Sequence, residues 1–404
     1  MQRVDDSARP VPRRKAAGAG AGAADSPRLA GDSLAVRDGA ALQWFWQKLQ
    51  ELRLKLAAIE ARFGLLPAPA PKDGEPEFVR TKVDGFRDIM TAPKPAAVVE
   101  PHLTTSGLRL QVANRLTDEN KAVARLSLQD RAAYDKVRDL VETDAEGRHA
   151  LQTLLLSGRL AGQTAADGRS ALFHLGLMTT GDLGEGVDRK KLVGQLLEEL
   201  ENPAKLYQGS NNTCVPAVMA IMLARRQPGE LIRIVGGLAA KEGVVRLADG
   251  AEIGRTADWQ APDGGRSVGQ ALFQPALIAL ALAPEGLTYS NRTDRISDGG
   301  NGLSVEEADV ALSSLTGRNW ASVDFYTSRD PGRIDEVIGR IADLARRGQP
   351  VPVGLNWTAA RNGHKILVDK IENDRVYYYN PYGTRESMSL FELKKRITNV
   401  NLPG

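Results

Sequence analysis

Residues 208–223 read QGSNNTCVPAVMAIML, a polar loop followed by an apolar helix. Pro216 fits the first helical turn, and Asn212 or Thr213 can cap it. Cys214, the only cysteine in the chain, stands at the junction of loop and helix. The positive end of a helix dipole favours a thiolate over a thiol. This stretch therefore predicts an accessible, ionised sulfur at the start of a buried helix.

Two strand patterns near the C-terminus bring a histidine and an asparagine together. His364 opens a strand that runs to Ile371, and Asn380 ends a strand that begins at Arg375. The polar turn 372–374 lies midway between them. In an antiparallel hairpin, residues equidistant from the turn face each other. The pattern predicts that Asn380 holds the His364 ring and fixes its tautomer, as a general base requires.

A thiol, an imidazole and an amide in this chain order are the parts of a cysteine acyl-transfer site. The tetrahedral intermediate of such a reaction carries an oxyanion that needs hydrogen-bond donors. The backbone N–H of Cys214 can supply one donor. The side chain of Gln208, six residues earlier on the same loop, can return to supply the other.

The combined pattern resembles that of the papain-like cysteine peptidases. The spacing from glutamine to cysteine and the spacing from histidine to asparagine both match, and the family's Asn-x-aromatic-Gly element appears as NPYG at 380–383. The resemblance implies a role for each matched residue: Gln208 as oxyanion donor, Cys214 as nucleophile, His364 as base, Asn380 as the residue that orients the base, and Tyr382 as the shield of the His–Asn bond.

The chain also departs from papain itself. Val215-Pro216-Ala217 replaces the aromatic and glycine cluster that follows the papain cysteine, and disulfides are impossible. The resemblance covers about residues 201–404. The strand GHKILV at 363–368 is similar to one in the bacterial branches of the family. The sequence therefore resembles those branches, which include bacteriocin-processing peptidases and translocated effector toxins, more closely than it resembles papain itself.

The predicted fold class is α+β, with a papain-like domain over 201–404. A helical half carries the cysteine, and an antiparallel sheet carries the histidine and asparagine. Composition and periodicity divide the preceding chain into a disordered segment 1–36, an amphipathic heptad helix 37–64, a Pro-rich linker 65–112 and a helical region 113–200. Three helices are predicted in the last region. The first ends near Val141, the second spans Ala150–Leu160, and the third spans Lys190–Leu200.

Composition excludes several classes of protein. The net charge of +3 is small, and basic residues are mixed with acids, so no nucleic-acid surface is expected. One cysteine excludes an intrachain disulfide and a cysteine-based zinc cluster. No cofactor or metal is expected. The apolar run Ala271–Ala283 is too short to span a bilayer and predicts a buried core helix.

The sequence predicts neither a signal peptide nor a transmembrane segment. Residues 16–24 contain only alanine and glycine, which makes them too weakly apolar for a secretory signal. We therefore expect the protein either to stay in the bacterial cytoplasm or to be exported by a dedicated, non-Sec secretion system. The expected partners are a protein or peptide substrate and a chaperone, immunity or docking partner that binds the helix 42–63.

Two alternatives to a peptidase stay open at this point. A glutamine deamidase or transglutaminase would use the same triad on side-chain amides, and pocket shape rather than sequence decides between these reactions. A non-catalytic papain-like binding module would keep the fold without an activated thiol.

Overall fold

The computed structural model describes residues 96–97, 103–325, 329–357 and 363–404. The predicted disordered segment 1–36 and the heptad helix 37–64, with its docking role, lie outside these residues. Most of the predicted linker 65–112 lies outside them as well. Contacts group the described residues into one compact unit.

Strands in the described residues form one large sheet and two small hairpins. Their bounds are β1 (Ala96–Ala97), β2 (Val244–Arg246), β3 (Glu252–Gly254), β4 (Tyr289–Ser290), β5 (Arg295–Ile296), β6 (Trp320–Asp324), β7 (Val351–Asn356), β8 (Gly363–Glu372), β9 (Arg375–Asn380), β10 (Thr384–Ser389) and β11 (Ile397–Pro403). The large sheet has seven strands in the order β1-β10-β9-β8-β7-β11-β6. All neighbouring strands in it are antiparallel.

Helices make up most of the remaining described chain. Their bounds are α1 (Thr105–Asn114), α2 (Leu116–Ala124), α3 (Leu128–Val141), α4 (Ala145–Leu156), α5 (Ala171–Thr180), α6 (Arg189–Glu201), α7 (Cys214–Arg226), α8 (Pro228–Ala239), α9 (Val268–Leu282), α10 (Val305–Thr316), α11 (Pro331–Arg346) and α12 (Leu390–Arg396). Helices together with an antiparallel sheet confirm the predicted α+β class.

The sheet separates two apolar cores, because successive side chains of a strand point to opposite faces. On β8, Leu367 belongs to the larger core, which contains residues of α3 through α10. Its neighbours Ile366 and Val368 belong to the smaller core beneath α11. Helix α7 is buried along nearly its whole length within the larger core, and its first residue lies beside Lys365 of the central strand β8.

Local sequence signals explain several element ends. Ser127 caps α3 by accepting from the backbone N–H of Asp130. Ser304 and Glu307 form a capping box at the start of α10, and Gly317 ends that helix with a positive φ of 63°. The two strands predicted over 364–371 and 375–380 are present as β8 and β9.

Some predicted boundaries are wrong. Regular structure begins within the predicted linker, since α1 starts at Thr105 and β1 pairs with β10. Helix α4 starts at Ala145 and ends at Leu156 rather than spanning Ala150–Leu160, because Asp144 caps it earlier. Helices of the region 113–200 also share the larger core with α7 through α10, so packing continues across residue 200.

The most apolar segment is the predicted core helix α9. Within the described residues, Val268–Glu285 is the one helical stretch long and apolar enough to cross a bilayer, and 67% of it is buried inside the protein. This burial agrees with the predicted core role of the segment.

Candidate active site

Cys214 is the half-buried first residue of α7. Backbone N–H groups near its thiol favour the charged form and lower its pKa, namely those of Lys365 on β8 and of Cys214 and Val215 at the helix start. Thr213 occupies the N-cap position but makes no side-chain cap, because its hydroxyl donates to Gln274 Oε1 at 2.6 Å. The first N–H groups of α7 therefore stay directed towards the sulfur.

The charge state of the sulfur differs from the prediction. Burial raises the pKa of the Cys214 thiol, although the Lys365 backbone N–H, the Lys365 charge and the helix N–H groups all lower it. Cys214 as a whole is partly accessible, whereas its sulfur lies deep enough for desolvation to dominate. The predicted resting thiolate is therefore wrong. Partial charges at a helix end contribute only about 0.3–1 kcal/mol, which burial outweighs here.

His364 and Asn380 form a hydrogen bond of 2.9 Å between Nε2 and Oδ1. Their predicted proximity is confirmed, but the predicted register is wrong. Leu367 pairs with Tyr379 after a bulge at Asp369, so Asn380 is level with a position two residues beyond His364. A two-residue offset keeps both side chains on one face of the sheet, and diagonal neighbours remain within reach of long side chains.

The orientation of the Asn380 amide is fixed from both ends. Its Oδ1 also accepts from the backbone N–H of Tyr382 at 3.3 Å, and its Nδ2 donates to Glu386 Oε1 at 3.0 Å. An amide oxygen can only accept, so Nε2 of His364 must carry a hydrogen. The other ring nitrogen, Nδ1, therefore holds the lone pair that a general base needs.

Two aromatic rings contact the imidazole. The Tyr382 ring stacks on it with centroids 4.8 Å apart and an interplanar angle of 8°. The Trp357 ring lies at 4.7 Å with a tilt of 49°. Burial lowers the pKa of His364 to about 4, and the Asn380 hydrogen bond offsets part of this decrease. The ring is therefore neutral at neutral pH and able to accept a proton.

Gln208 is buried in the loop before α7. Its Nε2 donates to the backbone oxygen of Asn211 at 2.9 Å, and its Oε1 has no hydrogen-bond partner within the described structure. Its backbone N–H donates to the oxygen of Pro381 at 2.8 Å. Gln208 is thus attached to the turn that follows Asn380. One Nε2 hydrogen is used within the loop, and the second has no hydrogen-bond partner in the described structure.

The structure brings His364, Asn380 and Tyr382 into contact with one another. Gln208 contacts the residue between Asn380 and Tyr382, and Cys214 lies beside Lys365, the residue after His364. Among the described residues, no hydrogen bond joins the thiol to the imidazole. Catalytic hydrogen bonds often tighten only when substrate is bound.

A buried polar network holds the loop of Gln208. Arg266 forms an ion pair with Asp263 at 2.6 Å and donates to Asn291 Oδ1 at 2.6 Å. Asn291 accepts from the side chain of Asn211 at 2.9 Å through its backbone oxygen. The backbone N–H of Ser210 donates to the Asp263 oxygen at 2.7 Å. These bonds satisfy loop groups that no regular ladder can pair.

Sequence reasoning missed three side chains of this site. Trp357 follows Val353 and Leu355 in the period-two pattern of β7, which was a signal for its face of the sheet. Glu386 lies on β10, a strand that was not predicted. Lys365 could have been noticed as a charged residue beside His364 within an otherwise apolar strand.

No metal site is evident in the part of the chain that the structure describes, since no group of three or more His, Cys, Asp and Glu side chains is placed to hold an ion. The chain matches no protein-family model and no curated protein. An inference about function therefore depends on the arrangement of the thiol, the neutral imidazole and the amide that orients it.

Proposed function

We propose that this protein is a papain-like cysteine peptidase in which Cys214, His364 and Asn380 cleave an amide bond through a thioester intermediate. The hydrogen bond between His364 Nε2 and Asn380 Oδ1 carries the proposal, because it leaves Nδ1 as a free base. The thiol at the start of α7, beside the strand of His364, supports it. A helical half packed on an antiparallel sheet supports the papain-like fold.

The proposed reaction starts from two neutral groups. His364 Nδ1 removes the proton from Cys214 as the sulfur attacks the substrate carbonyl carbon. The carbonyl oxygen becomes an oxyanion that the Cys214 backbone N–H and Gln208 Nε2 stabilise. His364 then returns the proton to the leaving amine. Water attacks the thioester and releases the acid, with His364 again as the base.

The neutral state of His364 fits the first step, because a ring that is unprotonated at physiological pH can accept a proton. A pKa near 4 lies below the value that best suits a general base, so the proton transfer requires that substrate binding raise the pKa of the ring. Stacking on Tyr382 and the hydrogen bond to Asn380 keep the ring in one orientation throughout.

The test uses a mixture of peptides from a digested bacterial or host proteome, incubated with the protein and analysed by mass spectrometry. A peptidase produces new peptide termini, and Cys214→Ala should reduce their formation by on the order of 10³-fold or more. Wild-type protein alkylated with iodoacetamide is a matched control, because Cys214 is its only thiol.

Other outcomes identify the alternatives. Conversion of glutamine to glutamate without new termini would indicate a deamidase, and new glutamine–amine crosslinks would indicate a transglutaminase. If neither change occurs and Cys214 reacts with iodoacetamide no faster than a free peptide thiol, the protein is a non-catalytic binding module.

Delivery to a target cell is a separate proposal from the sequence. The segments that would support export, 1–36 and 37–64, lie outside the described residues. Expression of the chain inside a host cell tests the effector role. Toxicity that Cys214→Ala abolishes would support it, and equal growth with both forms in every host tested would contradict it.

A further inference from the structure

Lys365 is a buried lysine directly after His364 on β8, with 5% of its surface exposed. Its amine hydrogen-bonds to the side-chain oxygens of Asn399 at 2.5 Å and Asn401 at 2.6 Å, both on β11. A buried ammonium is costly unless specific groups compensate it. The reaction proposed above does not use this side chain, so its position calls for a reason.

The Lys365 side chain reaches β11 because a glycine on the intervening strand leaves room for it. Strand β7 separates β8 from β11, and Gly354 on β7 pairs with both Lys365 and Asn399. A Cβ atom at Gly354 would overlap the Asn399 side chain. The missing side chain at this one position therefore lets the lysine amine reach across the intervening strand.

The acceptors around the amine are themselves held in place. The Nδ2 of Asn401 donates to Asp309 Oδ1 on α10 at 2.7 Å, which turns Oδ1 of Asn401 towards Lys365. The Nδ2 of Asn399 donates to Thr398 Oγ1 at 3.2 Å, with the same effect on its own Oδ1. The site thus presents amide oxygens, rather than a carboxylate, to the ammonium, and these leave its positive charge unneutralised.

The same residue also lies beside the sulfur. The backbone N–H of Lys365 is close enough to the Cys214 thiol to lower the pKa of that group. The Lys365 side chain shares the sheet face of Leu367, which packs in the larger core with α7. The ammonium therefore lies on the sheet face that α7 covers, whereas the His364 side chain belongs to the opposite face with Ile366.

The ionisable groups that face the ammonium are Cys214 on α7 and Asp309 on α10. Burial lowers the pKa of Lys365 to about 8, and these two groups oppose the decrease. The lysine charge in turn lowers the pKa of the Cys214 thiol, against the effect of burial. Asp309 contacts Asn401, which stands between it and the lysine amine.

We propose that Lys365 is an electrostatic positioning residue for the nucleophile: its buried ammonium stabilises the thiolate of Cys214 when His364 takes the proton. The inference rests on the proposed function, because a thiolate is the attacking species in acyl transfer. The lysine charge acts with the N–H groups of the helix start to favour the thiolate against the opposing effect of burial.

The experiment measures the pH dependence of Cys214 alkylation by iodoacetamide in the full chain, where no other thiol competes. Lys365→Met keeps the length of the side chain and removes its charge. Because the ammonium keeps its proton below about pH 8, we expect alkylation at neutral pH to slow about tenfold and the apparent thiol pKa to rise. The matched control is Lys370→Met, on the same strand but 51% exposed, which should leave the thiol pKa unchanged.

A second variant covers the case in which Lys365→Met does not fold. Asn399→Asp keeps the amine and places a carboxylate against it, which should also raise the thiol pKa by offsetting the lysine charge. An unchanged thiol pKa in whichever of these variants folds overturns the inference, even if the protein is a peptidase. Lost stability with an unchanged thiol pKa would make Lys365 a purely structural residue. Because no substrate is involved, failure of the peptidase assay does not affect this result.

Discussion

The two halves of the candidate site are held by different kinds of structure. On the imidazole side, His364 and Asn380 lie on neighbouring strands whose ladder sets their spacing. On the thiol side, Gln208 lies in a loop before α7. There the ladder is replaced by individual hydrogen bonds, in which Asn291 accepts from Asn211 of the loop and from Arg266. One half depends on a repeating pattern, and the other depends on a few unique contacts.

This difference determines how each half tolerates change. A ladder distributes its hydrogen bonds over many residues, and a two-residue offset still leaves the same face towards a partner. A loop fixed by a buried ion pair loses its support when one side chain is removed, because the partner charge is left unpaired. The thiol half should therefore be the more fragile.

The largest effect is expected from Arg266→Met. This change leaves Asp263 buried without its cation, so the free energy of unfolding should fall by about 3–5 kcal/mol, as measured by denaturant titration. Hydrogen exchange should increase first in the loop 208–213. The control is Arg346→Met, which breaks an exposed ion pair with Asp343 and should cost less than about 1 kcal/mol. Equal costs for the two variants would show that the network does not support the loop.

The next effect concerns the protonation of His364. Because burial lowers its pKa from 6.5 to about 4, the ring should stay neutral well below pH 6 and gain its proton only near pH 4. An NMR titration, with the signal assigned by its absence in His364→Gln, measures this directly. The rate of acyl transfer should show an acid limb at the same pH, since the protonated ring cannot act as a base. A midpoint near 6.5 would show that the ring is solvated.

Asn380→Ala tests the imidazole half. Without the amide, the ring loses the partner that sets its tautomer and orientation, and kcat should fall by about 10²-fold with little change in KM. Tyr378→Phe is the control, because it removes only a hydroxyl that donates to Glu386 at 2.9 Å. A kcat unaffected by Asn380→Ala would remove asparagine from the proposed mechanism.

The smallest effect is expected from Tyr382→Leu. Loss of the ring stacked on His364 should cost about 1 kcal/mol of stability and let water reach the imidazole, so the pKa of His364 should rise from about 4 towards 6.5. Tyr377→Leu, near the far end of β9, should not move that pKa. If Tyr382→Leu leaves the pKa unchanged, its ring does not shield the site.

Much of the imidazole half could be predicted from sequence. The alternation of β8 and β9 and the short polar turn between them are local features, so the proximity of His364 and Asn380 followed from residues close in the chain. The bulge at Asp369 could not be read in this way, because it depends on packing of both sheet faces. Glu386 was missed because the polar sequence of β10 does not have the apolar alternation typical of a strand.

The thiol half was predicted less completely. The loop and helix around Cys214 were recognisable in the sequence. The hydrogen-bond partners of the loop, however, come from residues 258–294, which include α9 and lie far along the chain. The predicted cap by Thr213 failed for the same reason, since Gln274 on α9 takes its hydroxyl. The predicted thiolate failed because the helix end was visible in the sequence and the depth of burial was not.

By itself, the sequence determined which chemical groups are present, the α+β class, and the helix and strands that carry Cys214, His364 and Asn380, since periodicity and turn signals act over a few residues. Tertiary structure alone decided the protonation states of the thiol and imidazole, the network that supports the loop, and the place of Lys365 near the sulfur. Those properties depend on burial and on contacts between distant segments, which local sequence does not encode.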